Sequence, residues 1–380
     1  MYPGWRELKP RSEAMLRLLV SAGGTGGGVY PALAVIAELS EKAEVLWVGG
    51  QGGMESALVK RAGVPFESIP AAGLHGVGIR SLPLNASRLL QGIPAAKRII
   101  RRFQPDVLFF TGGYVGVPVA LASQRLPQAV FVPDIEPALA LRLISRFARV
   151  INVSTAASER FYSGRKRVVV TGYPTQTDFV VRGKAEARRI FGLDEGTRTL
   201  LVFGGSRGAR SINMAVWEIL PELLKIAQVV HITGDLDWPR VPAVIEKLNM
   251  TYADRYYPHS YLHEGMDQAL GAADLVVSRA GAATIGEYPL FGLPAVLVPY
   301  PHAWRYQEVN AAYLEDNGGA IVLRDEDLRR TLLPTVSELM HDHSRLKEMG
   351  TAMRRISKPG AAKQIAGEIE RLTMKRGRGA

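Results

Sequence analysis

Short apolar runs recur along the chain, each followed by a stretch of helical spacing, and this alternation limits what the sequence can fold into. The runs are LRLLVSA (16–22), EVLWVG (44–49), DVLFFTG (106–112), AVFVPD (129–134), RVVVTG (167–172), TLLVFGG (199–205), VVHITG (229–234), DLVVSRAG (274–281) and AVLVPYP (295–301). Unbroken apolar strands predict parallel sheets covered on both faces. Helical spacing falls between them, as at 31–40, 117–124, 208–226 and 303–315. A unit of strand, glycine turn and helix occurs near residue 22 and again near residue 204, which predicts two Rossmann-like halves joined near GYPTQTD (172–178). The expected division is a disordered extension at 1–14, a domain at 15–174, a domain at 175–359, and at 360–380 a helix packing back across the join plus a basic tail.

A chain of 380 residues, 47% hydrophobic and 22% charged, can bury a sizeable core in two domains. No run reaches the 18 or so apolar residues of a spanning helix, and residues 1–14 lack the apolar centre of a signal peptide. The absence of cysteine excludes disulfides, thiol nucleophiles and thiolate metal sites. A net charge of +11 favours an anionic partner. The basic residues are dispersed and no nucleic-acid reader motif is present, so a lipid surface or a phosphorylated substrate is favoured over nucleic acid.

SAGGTGGGVYPALAVIAEL (21–39) sets a glycine turn before a helix expected to open at Pro31. Glycine lets main-chain N–H groups approach a phosphate at the positive end of a helix. GGSRG (204–208) and TGGYVGVP (111–118) meet the same requirement, although each alone is weak and none is a Walker A sequence. No convincing acidic ribose ligand of the NAD type follows the first turn, Glu55 being the nearest candidate, so a nicotinamide oxidoreductase is a remote reading.

GGTGGGVYPALAVIAEL, TGGYVGVPVALA, FGGSRGARSIN, SRAGAATIGE and YQEVNAA stand in the order and spacing of the bacterial MurG family, which the chain resembles over roughly residues 15 to 370. The resemblance implies the α/β GT-B fold, two Rossmann-like domains facing across a cleft. It also implies an inverting, metal-independent transferase that moves N-acetylglucosamine from UDP-N-acetylglucosamine to a polyprenyl-linked muramoyl-pentapeptide, with no cofactor. By that likeness Gly205, Ser206 and Arg207 face the diphosphate and Thr284 lies near the α-phosphate. Glu287 accepts from the ribose hydroxyls, Gln307 and Asn310 read the sugar, and the main chain of Leu262 recognises uracil. The residue types agree with these roles, since a carboxylate accepts well from a vicinal diol and arginine matches phosphate. Arg279 is a further cation for the leaving diphosphate, with an interdomain salt bridge as its alternative. For Glu287 and Asn310 the alternative is a place on a helix surface.

The acceptor half departs from the family. Its first glycine turn usually ends in histidine, where this chain has Gly28; HEQN is replaced within FVPDIEP, and NPVR by YPTQ (173–176). Thr25, Gly26, Gly27, Gly28, Gly113 and Tyr114 form the expected acceptor loops. Inverting transfer needs a base for the acceptor hydroxyl. Asp134, at the carboxyl end of a predicted strand, is the first candidate, with Glu136 two residues on and His75 as runner-up; capping the run that starts near Pro137 is the other reading of Asp134. His341 and His343 read as solvated, and the Asp235/Asp237 pair has no necessary metal.

Leu90, Ile93, Ala96, Ile100 and Phe103 recur at helical spacing beside Arg88, Lys97, Arg98, Arg101 and Arg102, as in a helix that lies on an anionic membrane surface. Packing on the sheet is the alternative for the later part, which leaves Ile79, Leu82 and Leu84 as the better lipid contacts. The leading expectation is thus a peripheral enzyme on the cytoplasmic face of the bacterial membrane. The alternatives are a related UDP-sugar transferase for another lipid and a donor-binding relative without catalysis.

Overall fold

Each strand hands the chain to a helix, and two parallel sheets result. The computed structural model describes residues 15–23, 26–72, 82–164, 166–175, 179–205, 208–248, 252–262, 264–301 and 305–374. The chain divides into two compact units, one of residues 1–177 with 360–380 and the other of residues 178–359.

In the first unit the elements run β1 (Leu16–Ser21), α1 (Gly26–Glu38), β2 (Ala43–Gly50), α2 (Glu55–Arg61), β3 (Phe66–Ile69), α3 (Leu82–Phe103), β4 (Val107–Phe110), α4 (Gly116–Ala122), β5 (Gln128–Val132), α5 (Leu139–Ser145), β6 (Val150–Val153) and β7 (Val168–Val170). The second contains α6 (Lys184–Phe191), β8 (Thr199–Phe203), α7 (Arg210–Ile226), β9 (Gln228–Ile232), α8 (Val241–Ile245), β10 (Tyr256–His259), α9 (Met266–Ala272) and β11 (Leu275–Ser278). It continues through α10 (Thr284–Phe291), β12 (Ala295–Leu297), α11 (Tyr306–Asp316), β13 (Ala320–Val322), α12 (Leu328–His341) and α13 (His343–Ile356). The final helix, α14 (Ala361–Met374), returns to the first unit.

The sheet orders are β3-β2-β1-β4-β5-β6-β7 and β10-β9-β8-β11-β12-β13, with every pairing parallel. The strand order reverses at β1/β4 and at β8/β11, which places a ligand-binding crevice outside the carboxyl ends of each pair. Alternate residues face opposite layers: Leu19, Leu108, Val130 and Ile151 pack with Ile99, Phe103, Val119 and Ile144 of α3, α4 and α5. On the first unit α14 packs against α1, β4 and β5. It buries Ile365, Ala366, Ile369 and Leu372, each large aliphatic stabilising by about 1.5–3 kcal/mol. Its buried Glu368 accepts from Arg167 at 2.6 Å and from Arg371.

Two features depart from the sequence reading. The runs passed over β3, β6, β10 and β13. Three of these lie at sheet edges, where burial is partial and the alternation weak, and β6 (VINV) is broken by Asn152. Helix α1 opens at Gly26, so Pro31 lies inside it. Pro31 has no N–H for the Gly27 carbonyl, and the Tyr173 hydroxyl donates to that oxygen instead, at 3.4 Å.

The core of the second unit holds a closed polar chain. Trp217 Nε1–H donates to the Tyr256 hydroxyl oxygen, Tyr256 donates to His231 Nδ1, and His231 Nε2–H donates to Asn213 Oδ1, each at 3.0 Å. Asn213 Nδ2 completes it by donating to the Thr233 carbonyl at 2.8 Å and to Asp237 at 2.9 Å. Because Asn213 Nδ2 is spent on Thr233 and Asp237, its Oδ1 faces His231 and can only accept, so Nε2 carries the hydrogen, and in a neutral ring Nδ1 accepts from Tyr256. Burial drives its value down to about 3.

Candidate active site

In the second unit three turns meet around the β8/β11 reversal. Between β8 and α7, a Cβ on Gly204 would lie 2.2 Å from the Ala209 nitrogen, and one on Gly208 (φ +74°) 2.4 Å from the Thr233 carbonyl oxygen. Gly205 (φ +89°) is exposed, with nothing near the place of a Cβ. The turn therefore presents bare backbone ahead of α7, whose N-cap, Ala209, has no capping side chain. Ser206 and Arg207 lie outside the described residues.

The second turn, 279–283, leads into α10. Thr284 opens that helix and its hydroxyl donates to the Gly281 carbonyl at 2.7 Å. One turn on, the half-buried Glu287 carboxyl makes no hydrogen bond or ion pair among the described residues, and desolvation raises it from 4.5 to about 8. Its neighbour Tyr288 is bonded to Ser278 at 2.6 Å and raised by burial. A desolvated carboxyl without a partner is costly to keep unless a ligand supplies donors.

The third turn follows β12. Gln307 Oε1 accepts from the Tyr300 N–H at 2.9 Å, which leaves its amide nitrogen to donate elsewhere. Asn310 is fully buried and donates to the Ala280 carbonyl at 3.2 Å, so it supports the 279–283 turn and the helix-surface alternative fails. Arg279 is paired with Asp325 of its own unit and donates to Val298, Pro299 and Ser211. Its expected salt bridge thus exists but is not interdomain, and its charge is matched. Leu262, half-buried beyond β10, makes no main-chain hydrogen bond among the described residues.

At the β1/β4 reversal of the first unit two glycine turns interlock. A Cβ on Gly113 (φ +81°) would come within 2.7 Å of the Gly23 carbonyl oxygen. Gly26, Gly27 and Gly28 form the first turn of α1, and the Thr111 hydroxyl donates to the Gly28 carbonyl at 2.5 Å. A Cβ on Gly28 would meet Thr111 O at 3.5 Å and Gly23 O at 3.8 Å, ordinary contacts that leave room for a side chain. Tyr114 is exposed beside them. Asp134 is half-buried two residues beyond β5. Helix α5 begins only at Leu139 with Ala138 as its N-cap, so Asp134 does not occupy the cap position. Glu136 is buried and one of its carboxylate oxygens accepts from Arg142 at 2.6 Å, so that oxygen is already engaged. His75 and Thr25 lie outside the described residues. Glu55 accepts from the Gly50 N–H at 2.8 Å, closing the turn between β2 and α2.

Residues 18–152 match the glycosyltransferase family 28 N-terminal domain, and residues 199–365 match the glycosyltransferase family 28 C-terminal domain. A relative from Roseiflexus sp. (strain RS-1) is 36% identical, covering 95% of this chain and 96% of its own. One from Listeria monocytogenes serotype 4a (strain HCC23) is 37% identical, covering 92% and 98%. Both are named UDP-N-acetylglucosamine--N-acetylmuramyl-(pentapeptide) pyrophosphoryl-undecaprenol N-acetylglucosamine transferase. The crystal structure of Acinetobacter baumannii MurG superposes with a TM-score of 0.72 at 25% identity, covering 94% of this chain and 99% of that one. The chain belongs to the MurG family.

As a MurG-family glycosyltransferase it has two parallel-sheet α/β domains of the GT-B class. Around the β8/β11 reversal of the family fold stand Gly205, Thr284, Glu287 and Gln307. Sequence reasoning missed Asn213, Ser211, Asp325, Thr111 and Tyr173, which act through partners distant in sequence. Only Asn213 left a trace, a polar residue on the buried face of α7. Asp237, the tempting half of a D-x-D pair, is occupied by Asn213. No cluster of metal-ligating side chains occurs among the described residues.

Proposed function

We propose that the protein transfers N-acetylglucosamine from UDP-N-acetylglucosamine to the C4 hydroxyl of lipid-linked N-acetylmuramoyl-pentapeptide, inverting the anomeric centre. The observation that carries the reading is the end-to-end similarity to relatives bearing that name. The geometry of the second unit suits the donor. Glu287 accepts from the ribose diol, the main chain at Leu262 pairs with uracil, and the Gln307 amide donates to the sugar. The diphosphate lies over the Gly205–Gly208 turn and the amino-terminal ends of α7 and α10. In the reaction the acceptor oxygen loses its proton to a base and bonds to the anomeric carbon. The bond from that carbon to the β-phosphate oxygen breaks, and UDP leaves with the electron pair. Helix dipoles, main-chain N–H groups and Arg207 stabilise the departing charge.

Asp134 is the proposed base. Tyr114, Gly113 and the 25–28 turn border the acceptor, and His75 is the second candidate. The first unit also carries the proposed membrane contact. Helix α3 turns Ala96, Ile99 and Phe103 into the core but leaves Leu84 and Leu90 56% and 67% exposed. Leu139 opens α5 with its side chain 58% exposed. Helices that follow parallel strands begin at the strands' carboxyl edge, so Leu84, Tyr114 and Leu139 share one rim of the unit, and Arg88, Lys97, Arg98, Arg101 and Arg102 are exposed for anionic headgroups. No helix among the described residues is long and apolar enough to cross a membrane. Peripheral attachment on the cytoplasmic face would bring the enzyme to its acceptor.

Gly28 favours a second reading, a donor-binding relative without turnover. The test is release of UDP and formation of glycosylated lipid from UDP-N-acetylglucosamine and the polyprenyl-linked acceptor. Product from the wild type and at least a hundredfold loss in Asp134→Asn support the proposal. Donor binding with no product selects the second reading, and full transfer by folded Asp134→Asn removes Asp134 as the base.

A further inference from the structure

Arg279 follows β11 with its side chain only 9% exposed. Its Nη1 donates to the carbonyls of Val298 (3.1 Å) and Pro299 (3.4 Å) and to Asp325 Oδ1, and its Nη2 donates to Ser211 Oγ at 2.8 Å. The Ser211 hydroxyl in turn donates to the same Asp325 oxygen at 2.7 Å, closing a ring of serine, arginine and aspartate. The guanidinium lies 5.2 Å from the centre of the Tyr300 ring.

The partners come from separate places along the carboxyl edge of the sheet. Ser211 is in the first turn of α7, just beyond the glycine turn, and Val298 to Tyr300 form the turn after β12. Asp325 lies beyond β13, and Arg279 itself begins the turn that enters α10. Two of the bordering turns are tied once more, Tyr300 to Gln307 and Ala280 to Asn310. The ladders between β8, β11, β12 and β13 are complete without any of these side chains. What the ring fixes is the spacing of the turns, not the pairing of the strands.

We propose that Asp325, acting through Arg279 and Ser211, is a positioning residue that sets the turns around the donor diphosphate; this rests on the donor assignment made above. A guanidinium already matched by a carboxylate has little charge left for a phosphate, whereas its planar fork is well suited to hold several acceptors in one geometry. The two roles predict opposite signs. If Arg279 served the diphosphate directly, removing Asp325 would free a cation and tighten binding. If the ring positions the turns, the same change loosens them and weakens binding.

The experiment compares Asp325→Ala, the milder Asp325→Asn, Arg279→Ala and the double variant Asp325→Ala/Arg279→Ala with the wild type. Affinity for UDP and UDP-N-acetylglucosamine is read by calorimetry, and amide exchange of residues 279–284 and of Tyr300, whose neighbours Pro299 and Pro301 have no N–H, is read in the ligand-free protein. The expected results are a weakening of roughly tenfold in Asp325→Ala and less in Asp325→Asn, faster exchange confined to those turns, and a double variant no weaker than the worse single one. Tighter UDP binding in Asp325→Ala, unchanged exchange in both turns, or losses that multiply in the double variant would each overturn the proposal. A wild type that exchanges as expected but does not bind UDP refutes the donor assignment instead, since the exchange measurement needs no donor.

Discussion

Replacing Glu287 by glutamine should make the ligand-free protein more stable while weakening its hold on the donor. In the folded protein the carboxyl is raised from 4.5 to about 8 by burial. It binds its proton more tightly folded than unfolded, so the stability it allows is complete below about pH 4.5 and is lost as pH rises through about 8. The span between the two values sets a ceiling of about 5 kcal/mol above pH 8 and about 3 kcal/mol at pH 7, reduced by the part of Glu287 that solvent reaches. Glutamine has the same shape and no charge to desolvate. At pH 7 the gain for Glu287→Gln is up to about 3 kcal/mol, at most roughly 6–12 °C in the melting of a unit this size, and it shrinks toward zero at pH 4.5. The ribose diol would lose an anionic acceptor, and hydrogen bonds to charge are worth about 1.5–3 kcal/mol, so donor affinity should fall by roughly ten- to a hundredfold at pH 9 and by up to about tenfold at pH 7. In the wild type only about a tenth of the carboxyls are ionised at pH 7, so affinity for UDP-N-acetylglucosamine should climb roughly tenfold by pH 9, and in the variant it should stay flat. Scanning calorimetry at pH 5 and 8, with binding titrations at pH 7 and 9, measures all of this. A variant no more stable than wild type at pH 8, or one that keeps the donor affinity and its pH dependence, refutes the reasoning.

His231 has the opposite sign: its lowered value stabilises the neutral fold above about pH 6.5 and costs about 1.4 kcal/mol per pH unit as pH falls from there toward 3. Between pH 4.5 and 6.5 this offsets the Glu287 slope, so Glu287→Gln should reveal a steep acid instability in urea titrations, and a double variant with His231→Gln should flatten it. At the interlocked turns, Gly113→Ala should cost more than about 2 kcal/mol through its positive φ and the Gly23 clash, whereas Gly28→Ala should be neutral or gain up to about 1 kcal/mol as a helix residue with room; equilibrium unfolding of the two variants checks this. Leu84→Glu with Leu90→Glu should abolish sedimentation with phosphatidylglycerol vesicles without lowering the melting temperature, because both side chains are already exposed. Unchanged sedimentation would sink the membrane contact.

The central strands were legible in the sequence because residues such as Val107 to Phe110 and Leu275 to Ser278 are covered on both sides and so leave an unbroken apolar run. The edge strands β3 and β10 were not, since FESI and YYPH are only partly buried and have little apolar content, whereas β7, also at an edge, keeps the run VVV. The donor-side residues Thr284, Glu287 and Gln307 were named through the likeness of SRAGAATIGE and YQEVNAA to the MurG family, since their spacing alone assigns no ligand. What no local pattern reveals is which polar side chain is already spent. Glu136 and Arg279 look as available in the sequence as Glu287 does, and only their pairing with Arg142 and Asp325 in the fold distinguishes them. Pro31 misled for a related reason: proline suits the start of a helix, but here a distant tyrosine hydroxyl takes the carbonyl it leaves unmatched.

The return of α14 to the first unit has a consequence for how the polypeptide matures. The second unit is one continuous stretch and can close as soon as residue 359 has been made, whereas the parts of α1, β4 and β5 that α14 packs against stay uncovered until Leu372 arrives. The half translated first is therefore the half completed last. Until then the patch around β4 and β5 is exposed to chaperones and to aggregation, and a nascent chain stalled before α14 would carry a finished second unit beside an unfinished first one.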